Sequence, residues 1–499
     1  MESLIDNAYD AVGNCIAYIY SYGPLADKTV VFMSPFVQDQ VAKLSTLIKF
    51  DEATLCYTLG MFLCYPLGII MHMLPYGKMK HIFSFFMGAA LLQFSLKKQW
   101  IHHMITVLVS YLILLVAPAK RSKVIIPVFV MTYLTLGHMH RQFVNYLGWD
   151  LGFHTTHMIL TIKLYSLSYN LYDGEMLAKG KADRASQKCS NLSLNEIPSF
   201  IEFLGYTFNF STILAGPAFE YKIYKTACDG SNLYDENGKP KGNIPSNIGP
   251  TIKPFLTGLC CMALFVFGSK KFPIHDPRDP QNFSPIIFNS DFLSQPLIYR
   301  YFYFWMGLIF VRQKYYFAWK NAEGACNIWY AGFEGFKEDG TVKGWEHSVN
   351  VDILKFELAP SFKVGSAAWN KKTATWLSRY VYFRTGSNLV LTYIMSSFWH
   401  GFYPGYYMFF LSIPLLTACE RLSTKKISPY FSPNDYSPYG ILAIVSTTIV
   451  LNYFTQAFQL LSFEWATMNW KNEYFFGHIV LIIYYLAVSK LPNPKKKEA

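Results

Sequence analysis

His400 and Asn370, thirty residues apart, are the side chains of this sequence whose types best suit proton transfer and charge stabilisation. His400 lies within the apolar stretch 389–410, which we expect to lie in or against a membrane. A titratable side chain at bilayer depth is costly to hold and therefore indicates function, and imidazole exchanges a proton readily near neutral pH. Asn370 could donate a hydrogen bond to a developing oxyanion or orient a substrate hydroxyl. The competing interpretation is a structural histidine, hydrogen-bonded inside a helix bundle.

The surroundings of His400 narrow the reaction class. No serine or cysteine stands beside it in a nucleophile-elbow pattern, so a covalent enzyme intermediate is not indicated. The sequence also has no HExxH motif and no cluster of Asp and Glu that would bind a metal. A base and an amide without a protein nucleophile suit direct transfer of an acyl group from an activated thioester to an alcohol, with both reactants held in line.

The composition is that of a membrane protein with several spans. Of 499 residues, 52% are hydrophobic and 15% are charged, whereas soluble domains carry about 25% charged residues. We predict about eleven spans, several of them shorter than the ~20 residues of a straight crossing. Irregular backbone at membrane depth needs surrounding protein or a water-filled cavity, so short spans indicate an internal chamber. The predicted spans are 54–71, 81–96, 104–117, 124–136, 155–171, 200–214, 251–267, 298–311, 389–410, 439–460 and 475–488.

The net charge of +12 is spread over loops, which in a membrane protein indicates attraction to anionic lipid headgroups rather than to nucleic acid. The nine cysteines form no CxxC pair and no metal-ligand spacing, so we interpret them as small apolar fillers. We therefore expect a lipid bilayer as partner, no nucleic acid and no bound metal.

We interpret residues 1–499 as one integral-membrane domain without internal repeats, with an N-terminal segment at 1–50. In the tail, 494–499, Lys496 and Lys497 stand fourth and third from the end. That placement resembles the dilysine retrieval signal of endoplasmic reticulum membrane proteins, an address that requires a cytosolic C-terminus. The alternative is a plain solvated tail. We expect a multi-pass protein of the endoplasmic reticulum membrane.

The residues around His400 resemble a known family. Trp399-His400-Gly401, followed by Pro404-Gly405-Tyr406 and Phe410, is similar to the W-H-G-x-x-P-G-Y-x-x-x-F motif of membrane-bound O-acyltransferases, in the lysophospholipid acyltransferase branch. Further segments resemble the same branch over residues 170–487 at least, with a tryptophan at 470 where tyrosine is usual and a glutamate at 346 where aspartate is usual. These segments are Arg312-Gln313-Lys314-Tyr315-Tyr316 with Trp319 and Glu323, Asn350-Val351-Asp352 with Glu357, Trp369-Asn370 with Trp376, Arg379 and Tyr380, Ala215-Gly216-Pro217, Asn170 with Tyr172-Asp173-Gly174, Tyr453 to Phe458, and Tyr474-Phe475 with His478.

The resemblance implies an α-helical multi-span bundle that encloses a reaction chamber in the membrane. His400 would be the general base and Asn370 its partner. Acyl-CoA, a co-substrate rather than a cofactor, would enter from the cytosolic side, and a lysophospholipid would enter laterally from the bilayer. The implied activity is transfer of a fatty acyl group to the free sn-2 hydroxyl of the lysophospholipid, which remodels phospholipids.

Eight further residues are candidates for substrate contacts. Cations suit the CoA phosphates, and aromatic rings suit the acyl or headgroup path; a snorkelling charge or simple bundle packing is the alternative for each. The cationic candidates are Arg312, Lys314, Lys371 and Lys372, and the aromatic candidates are Trp369, Trp376, Trp399 and Tyr406.

Two other functions stay open at this point. The same fold could act on a sterol, a diacylglycerol or a secreted protein, although Pro404-Gly405-Tyr406, the Asn350-Val351-Asp352 segment and the Arg312 to Tyr316 segment favour a lysophospholipid. A transporter is disfavoured. That function predicts internal repeats and charged residues scattered over several spans, and the sequence shows neither. The sequence leaves open the headgroup, the acyl chain, and whether the chain forms a homo-oligomer.

Overall fold

The computed structural model describes residues 2–21, 34–148, 151–275, 284–431 and 437–494. Within these ranges the regular structure is helical, and β structure is limited to three isolated bridges. The all-α fold class predicted from the sequence is therefore confirmed. Lys496 and Lys497 of the retrieval-type tail lie outside the described residues.

The chain divides into two compact units that alternate along the sequence. The first unit comprises Met1–Leu259, Ala318–Asn350 and Ser378–Arg384. The second comprises Cys260–Phe317, Val351–Leu377 and Thr385–Ala499. The interpretation of residues 1–499 as a single domain stays a prediction.

The first unit is built mainly from the N-terminal half of the chain. Its helices are α1 Glu2–Ser21, α2 Pro35–Ile48, α3 Glu52–Met73, α4 Lys78–Leu96, α5 Trp100–Val116, α6 Ala119–Phe143, α7 Phe153–Ala178, α8 Arg184–Lys188, α9 Phe200–Thr207 and α10 Tyr221–Asp229. Short 3-10 turns lie at Lys97–Gln99 and Ser190–Leu192.

Two long helices, α11 Ile248–Lys271 and α13 Leu297–Ile328, belong partly to each unit. The other helices of the second unit are α12 Ser290–Leu293, α14 Ile353–Glu357, α15 Phe362–Ala368, α16 Lys371–Trp376, α17 Leu389–His400, α18 Pro404–Lys426, α19 Pro438–Leu460, α20 Phe463–Asn472 and α21 Phe476–Lys490. A π-helix, Leu377–Tyr382, follows α16, and 3-10 turns lie at Ile286–Phe288, Phe383–Thr385 and Ser428–Tyr430.

Several helices are suited to cross a membrane. Among the described residues, five helices are long and apolar enough by length and composition, and α20 with α21, bent by 70°, would make a sixth. Here α4, the turn Lys97–Gln99 and α5 count as one helix. The five are Glu52–Met73, Lys78–Val116, Ala119–Phe143, Ile248–Lys271 and Pro438–Leu460. The prediction of a protein with several membrane spans is supported, whereas the number of about eleven and the enclosed chamber stay predictions.

The apolar run 200–214 is predicted to be a single span, but it is helical only as far as Thr207, where α9 ends. Beyond that residue the buried backbone is not helical, and the Lys163 side chain of α7 supports the segment from within the unit. The Lys163 ammonium group donates hydrogen bonds to the Tyr206 carbonyl oxygen at 3.0 Å and to Thr212 Oγ1 at 2.9 Å. Non-helical backbone of this kind is tolerated in a membrane protein only where protein or water surrounds it.

Candidate active site

His400 is the last residue of α17, so the apolar stretch 389–410 is two helices rather than one continuous span. The turn is made by Gly401, whose φ of +131° lies in a region that favours glycine. Pro404 then starts α18 at its first position, where its missing N–H group is no loss. At the other end of α17 the Asn388 side chain accepts a hydrogen bond from the Leu391 amide at 2.9 Å. The break therefore places the histidine at a helix end.

Gly405 brings the backbones of α18 and α19 into direct contact. Its amide donates a hydrogen bond to the Leu461 carbonyl oxygen at 2.7 Å. A Cβ atom at position 405 would lie only 2.1 Å from the Ala457 carbonyl oxygen. The glycine and proline of the motif thus serve backbone geometry, and the motif fixes α19 beside the histidine.

The imidazole of His400 is held in one orientation. Its Nδ1 atom lies 2.7 Å from the Ser396 carbonyl oxygen. A carbonyl oxygen can only accept, so Nδ1 must carry the hydrogen, and Nε2 of the neutral ring is the nitrogen with an unshared electron pair. This tautomer is the one that a general base acting through Nε2 requires.

Four aromatic rings surround the imidazole. The ring centroids of Trp399, Phe410, Phe458 and Tyr406 lie 4.7, 5.0, 5.3 and 5.8 Å from that of His400, in the order given. Trp399 and Tyr406 are buried, whereas His400 is half-buried. The ring of Trp376 lies 6.1 Å from that of Trp399. Three of the four predicted aromatic contacts therefore belong to one cluster with His400.

Asn370 occupies the N-cap position of α16, which ends at Trp376, and its side chain makes no capping hydrogen bond. Its backbone is left-handed, with φ +43° and ψ +51°, a conformation that asparagine adopts more easily than most residues. Six residues of helix place Asn370 about 9 Å along the axis from Trp376. Lys371 and Lys372, both half-buried, are the first two residues of this helix.

Arg312, predicted as a contact for CoA phosphates, is bound to protein side chains on each of its nitrogens. Nε and Nη2 donate to the two carboxylate oxygens of Glu357 at 2.9 and 2.8 Å, and Nη1 donates to Asn452 Oδ1 at 2.8 Å. The Tyr316 hydroxyl donates to Glu357 Oε1 at 2.6 Å. A bidentate pair of this kind fixes geometry strongly, so Arg312 ties α13 to both α14 and α19.

Trp369 belongs to the Arg312 cluster rather than to the rings around His400. Its ring centroid lies 4.8 Å from that of Phe356, 5.7 Å from that of Tyr316 and 5.9 Å from that of Tyr315. The Lys314 ammonium group lies 5.1 Å from the centroid of Tyr315. Seven of the ten predicted site residues thus form two clusters, one at His400 and one at Arg312. The other three, Asn370, Lys371 and Lys372, directly follow the tryptophan of the second cluster.

Phe458 and Asn452 contact these clusters and were not predicted as site residues. Phe458 is the last residue of the motif segment Tyr453 to Phe458, and Asn452 directly precedes that segment. A signal for Asn452 exists, because Asn452 and Gln456 are two amides four residues apart in an apolar helix, which indicates internal polar contacts. Gln456 Nε2 donates to Glu473 Oε1 at 2.9 Å and so ties α19 to the bend that follows α20.

Three further motif residues, Asn170, Asp173 and Tyr380, belong to a buried polar network in the first unit. The Tyr380 hydroxyl lies 2.7 Å from Asn170 Oδ1 and 2.9 Å from Glu220 Oε1, and Asn170 Nδ2 donates to Glu220 Oε2 at 3.0 Å. Arg384 donates to both carboxylate oxygens of Asp173, at 3.0 and 2.6 Å. These contacts hold the end of the π-helical segment against α7, and they give the motif residues there a positioning role.

The sequence matches the family model for MBOAT, the membrane-bound O-acyltransferase family, over residues 76–463. It is 32% identical over 420 residues to membrane-bound glycerophospholipid O-acyltransferase 2 of Gallus gallus, covering 82% of this chain and 78% of that protein. It is 26% identical over 471 residues to the lysophospholipid acyltransferase of Saccharomyces cerevisiae, covering 88% and 75%. It is 28% identical over 438 residues to lysophospholipid acyltransferase 6 of Drosophila melanogaster, covering 84% of this chain and 58% of that protein.

Proposed function

Because this chain belongs to the membrane-bound O-acyltransferase family and is an acyltransferase, we propose that it transfers a fatty acyl group from acyl-CoA to the free sn-2 hydroxyl of a lysophospholipid. The names of the relatives in chicken, yeast and fly support a glycerophospholipid or lysophospholipid acceptor. A thioester donor fits a site with a base and an amide, because the acyl group is already activated.

The observation that carries the proposal is the tautomer of His400. With Nδ1–H bound to the Ser396 carbonyl oxygen at 2.7 Å, Nε2 is the basic nitrogen. The surrounding rings exclude water from one side of the imidazole, and a base in such a place removes a proton from a positioned hydroxyl rather than from bulk water. A positioned general base contributes about 10²–10⁴ in rate.

The proposed reaction is one displacement at the thioester carbonyl. His400 Nε2 takes the proton of the lysophospholipid hydroxyl as the oxygen attacks the carbonyl carbon. The C–O bond forms, and the carbonyl oxygen carries the negative charge of a tetrahedral intermediate. The intermediate collapses, the C–S bond breaks, and the CoA thiolate receives the proton from His400. The enzyme returns to its starting protonation state, and no cofactor or metal takes part.

Asn370 donates its side-chain amide hydrogen to the oxyanion of the intermediate, or orients the attacking hydroxyl. Lys371 and Lys372 at the start of the same helix, with Lys314, attract the CoA phosphates. For Arg312 a positioning role competes with the predicted contact to CoA phosphates, because its guanidinium is hydrogen-bonded to Glu357 and Asn452. We assign Arg312 to positioning the segment that leads to Trp369 and Asn370.

We also propose where the reaction occurs and how the substrates enter. The reaction occurs in a chamber within the membrane, with acyl-CoA entering from the cytosolic side and the lysophospholipid from the bilayer. We place the enzyme, as a multi-pass protein, in the endoplasmic reticulum membrane. Its partners are acyl-CoA, the lysophospholipid and the bilayer.

The test uses microsomes from cells that express the wild type, His400→Ala or, as a control, His72→Ala, which changes an exposed histidine. The microsomes receive lysophospholipids with several headgroups and a competing mixture of acyl-CoAs, and mass spectrometry identifies the products. We expect product from the wild type and His72→Ala but none above background from His400→Ala. Detergent-extracted protein is compared by size-exclusion chromatography to establish that each variant is folded.

Three outcomes decide between the readings. Loss of product with normal abundance and a normal elution profile supports His400 as the base. Parallel loss of product and of folded protein would make His400 structural. Absence of product from every lysophospholipid with a folded wild type would move the proposal to another acceptor within the family.

A further inference from the structure

Helix α2, Pro35–Ile48, has an apolar side that only partly packs against the protein. Val41 is buried and, with Val37 beside it, packs into a cluster with Leu55 and Cys56 of α3. Phe36, Leu44 and Leu47 are exposed, at 71%, 37% and 79% of their surface. With 3.6 residues per turn, these three side chains fall within about 80° of one another around the axis, next to the packed edge, and the exposed Gln40 is the polar residue among them.

The remaining exposed side of α2, which begins next to Phe36, is polar but carries no net charge. Asp39 and Lys43, one turn apart, form an ion pair at 2.6 Å. Ser45 and Thr46 complete this side, and their hydroxyls donate to backbone carbonyl oxygens at 2.6 and 3.0 Å. The helix is therefore amphipathic, and its attraction to a surface must come from the apolar side rather than from charge.

The position of α2 in the chain sets where that apolar side can lie. The helix ends at Ile48, and α3, one of the helices suited to cross a membrane, begins at Glu52. Three residues connect them, with Lys49 in the left-handed conformation and the Asp51 side chain accepting from the Thr54 amide at 2.9 Å. A span of 22 residues starts at a bilayer face, so a helix joined to it by so short a connection also lies at that face.

We propose that α2 is an interfacial helix that inserts Phe36, Leu44 and Leu47 between the headgroups and the acyl chains of the bilayer. Val37 and Val41 anchor it to the protein, and Gln38, Asp39 and Thr46 face water. Because the Asp39–Lys43 pair leaves the polar side neutral, insertion depends on apolar contact and is the same in zwitterionic and in anionic bilayers. This contact fixes the depth at which α3 enters the membrane and is independent of the acyl-transfer proposal.

Site-directed spin labelling of the full-length chain in lipid nanodiscs tests this proposal. The background carries Cys15→Ser and Cys260→Ser, which change the two exposed cysteines; the other seven are buried. Labels are attached through Phe36→Cys, Leu44→Cys or Leu47→Cys, with Gln38→Cys and Thr46→Cys as matched positions on the polar side. Power saturation then compares collisions with oxygen, which enters lipid, and with a water-soluble nickel chelate.

In phosphatidylcholine nanodiscs we expect oxygen to dominate at 36, 44 and 47 and nickel to dominate at 38 and 46. Added phosphatidylserine should leave this pattern unchanged. Nickel at all five positions would place the helix in water and overturn the proposal. Low accessibility to both reagents at 36, 44 and 47 would mean that protein, such as a second copy of this chain, covers the face. Lipid exposure that appears only with phosphatidylserine would overturn the charge-independent part.

Discussion

Arg312 and Glu357 face each other through two parallel hydrogen bonds, from Nε to Oε1 at 2.9 Å and from Nη2 to Oε2 at 2.8 Å. The arginine side chain is buried, and Asn452 occupies its third nitrogen. A guanidinium in this state has its donors directed at protein rather than at a ligand phosphate. The pair fixes α14, which comes shortly before Trp369 and Asn370 in the chain, to α13.

Breaking this pair should reduce the stability of the protein more than it weakens substrate binding. Removing one partner of a buried pair typically costs about 3–5 kcal/mol, because the other charge is left uncompensated. We expect Glu357→Gln and Arg312→Gln to lower the thermal unfolding temperature in detergent and to lower kcat more than they raise the KM for acyl-CoA. The double variant Arg312→Glu with Glu357→Arg should recover part of both losses. An increase in KM for acyl-CoA at an unchanged unfolding temperature would return Arg312 to the phosphate site.

The side chain and the backbone of Asn370 can be tested separately. Its φ of +43° means that Asn370→Ala removes the amide and also strains the backbone by about 1–2 kcal/mol, whereas Asn370→Gly removes the amide without that strain. If the amide supports the oxyanion, both variants should lose about 10²–10³ in kcat. Activity assays and unfolding temperatures of the two variants check this. Near-normal turnover in Asn370→Gly would limit the residue to a role in the turn.

Lys371 and Lys372 should matter only for donors that carry the CoA nucleotide. Loss of a charged hydrogen bond to a phosphate costs about 1.5–3 kcal/mol, or roughly tenfold in binding or more. We expect Lys371→Gln and Lys372→Gln to raise the KM for acyl-CoA while leaving the KM for acyl-pantetheine, which has no phosphate, unchanged. Steady-state assays with both donors measure the difference. An equal increase for the two donors would assign the lysines to local structure.

Gly405→Ala should separate α18 from α19. The added Cβ would lie 2.1 Å from one carbonyl oxygen and 2.8 Å from another, and both belong to backbone that cannot move aside cheaply. We expect several degrees of loss in unfolding temperature and a large loss of activity, since Phe458 on α19 packs against His400. Gly249→Ala is the matched control, because it also lies in a long helix but a Cβ there meets nothing within 4 Å. A normal unfolding temperature for Gly405→Ala would contradict the close approach.

Local sequence signals predicted the helical fold and several helix ends well. The span predicted at 439–460 corresponds to α19, Pro438–Leu460, because Ser437 caps it and proline starts it. The break at Gly401 had local signals too, a glycine after His400 and a proline three residues later. The mean hydropathy over 389–410 gives no sign of the break, because hydropathy carries no information about backbone conformation.

Local sequence signals do not predict contacts between residues that are far apart in the sequence. The family motif selected Arg312 and Glu357, but a single sequence does not show that two residues so far apart form a pair. The prediction that Arg312 contacts the CoA phosphates therefore rests on its positive charge alone. In the same way the run 200–214 reads as a span, because the hydrogen bonds from Lys163 that support its non-helical end come from another helix.

The break at Gly401 also determines the electrostatic surroundings of His400. In a helix the peptide dipoles align, and the carbonyl end behaves as about half a negative charge. His400 is the last residue of α17, so a proton taken up by its imidazole would arrive at the negative pole of that helix. An unbroken span would have placed the histidine in the middle of a helix, where neither pole acts. The carboxyl end of α17 instead stabilises the imidazolium that forms when His400 takes up a proton.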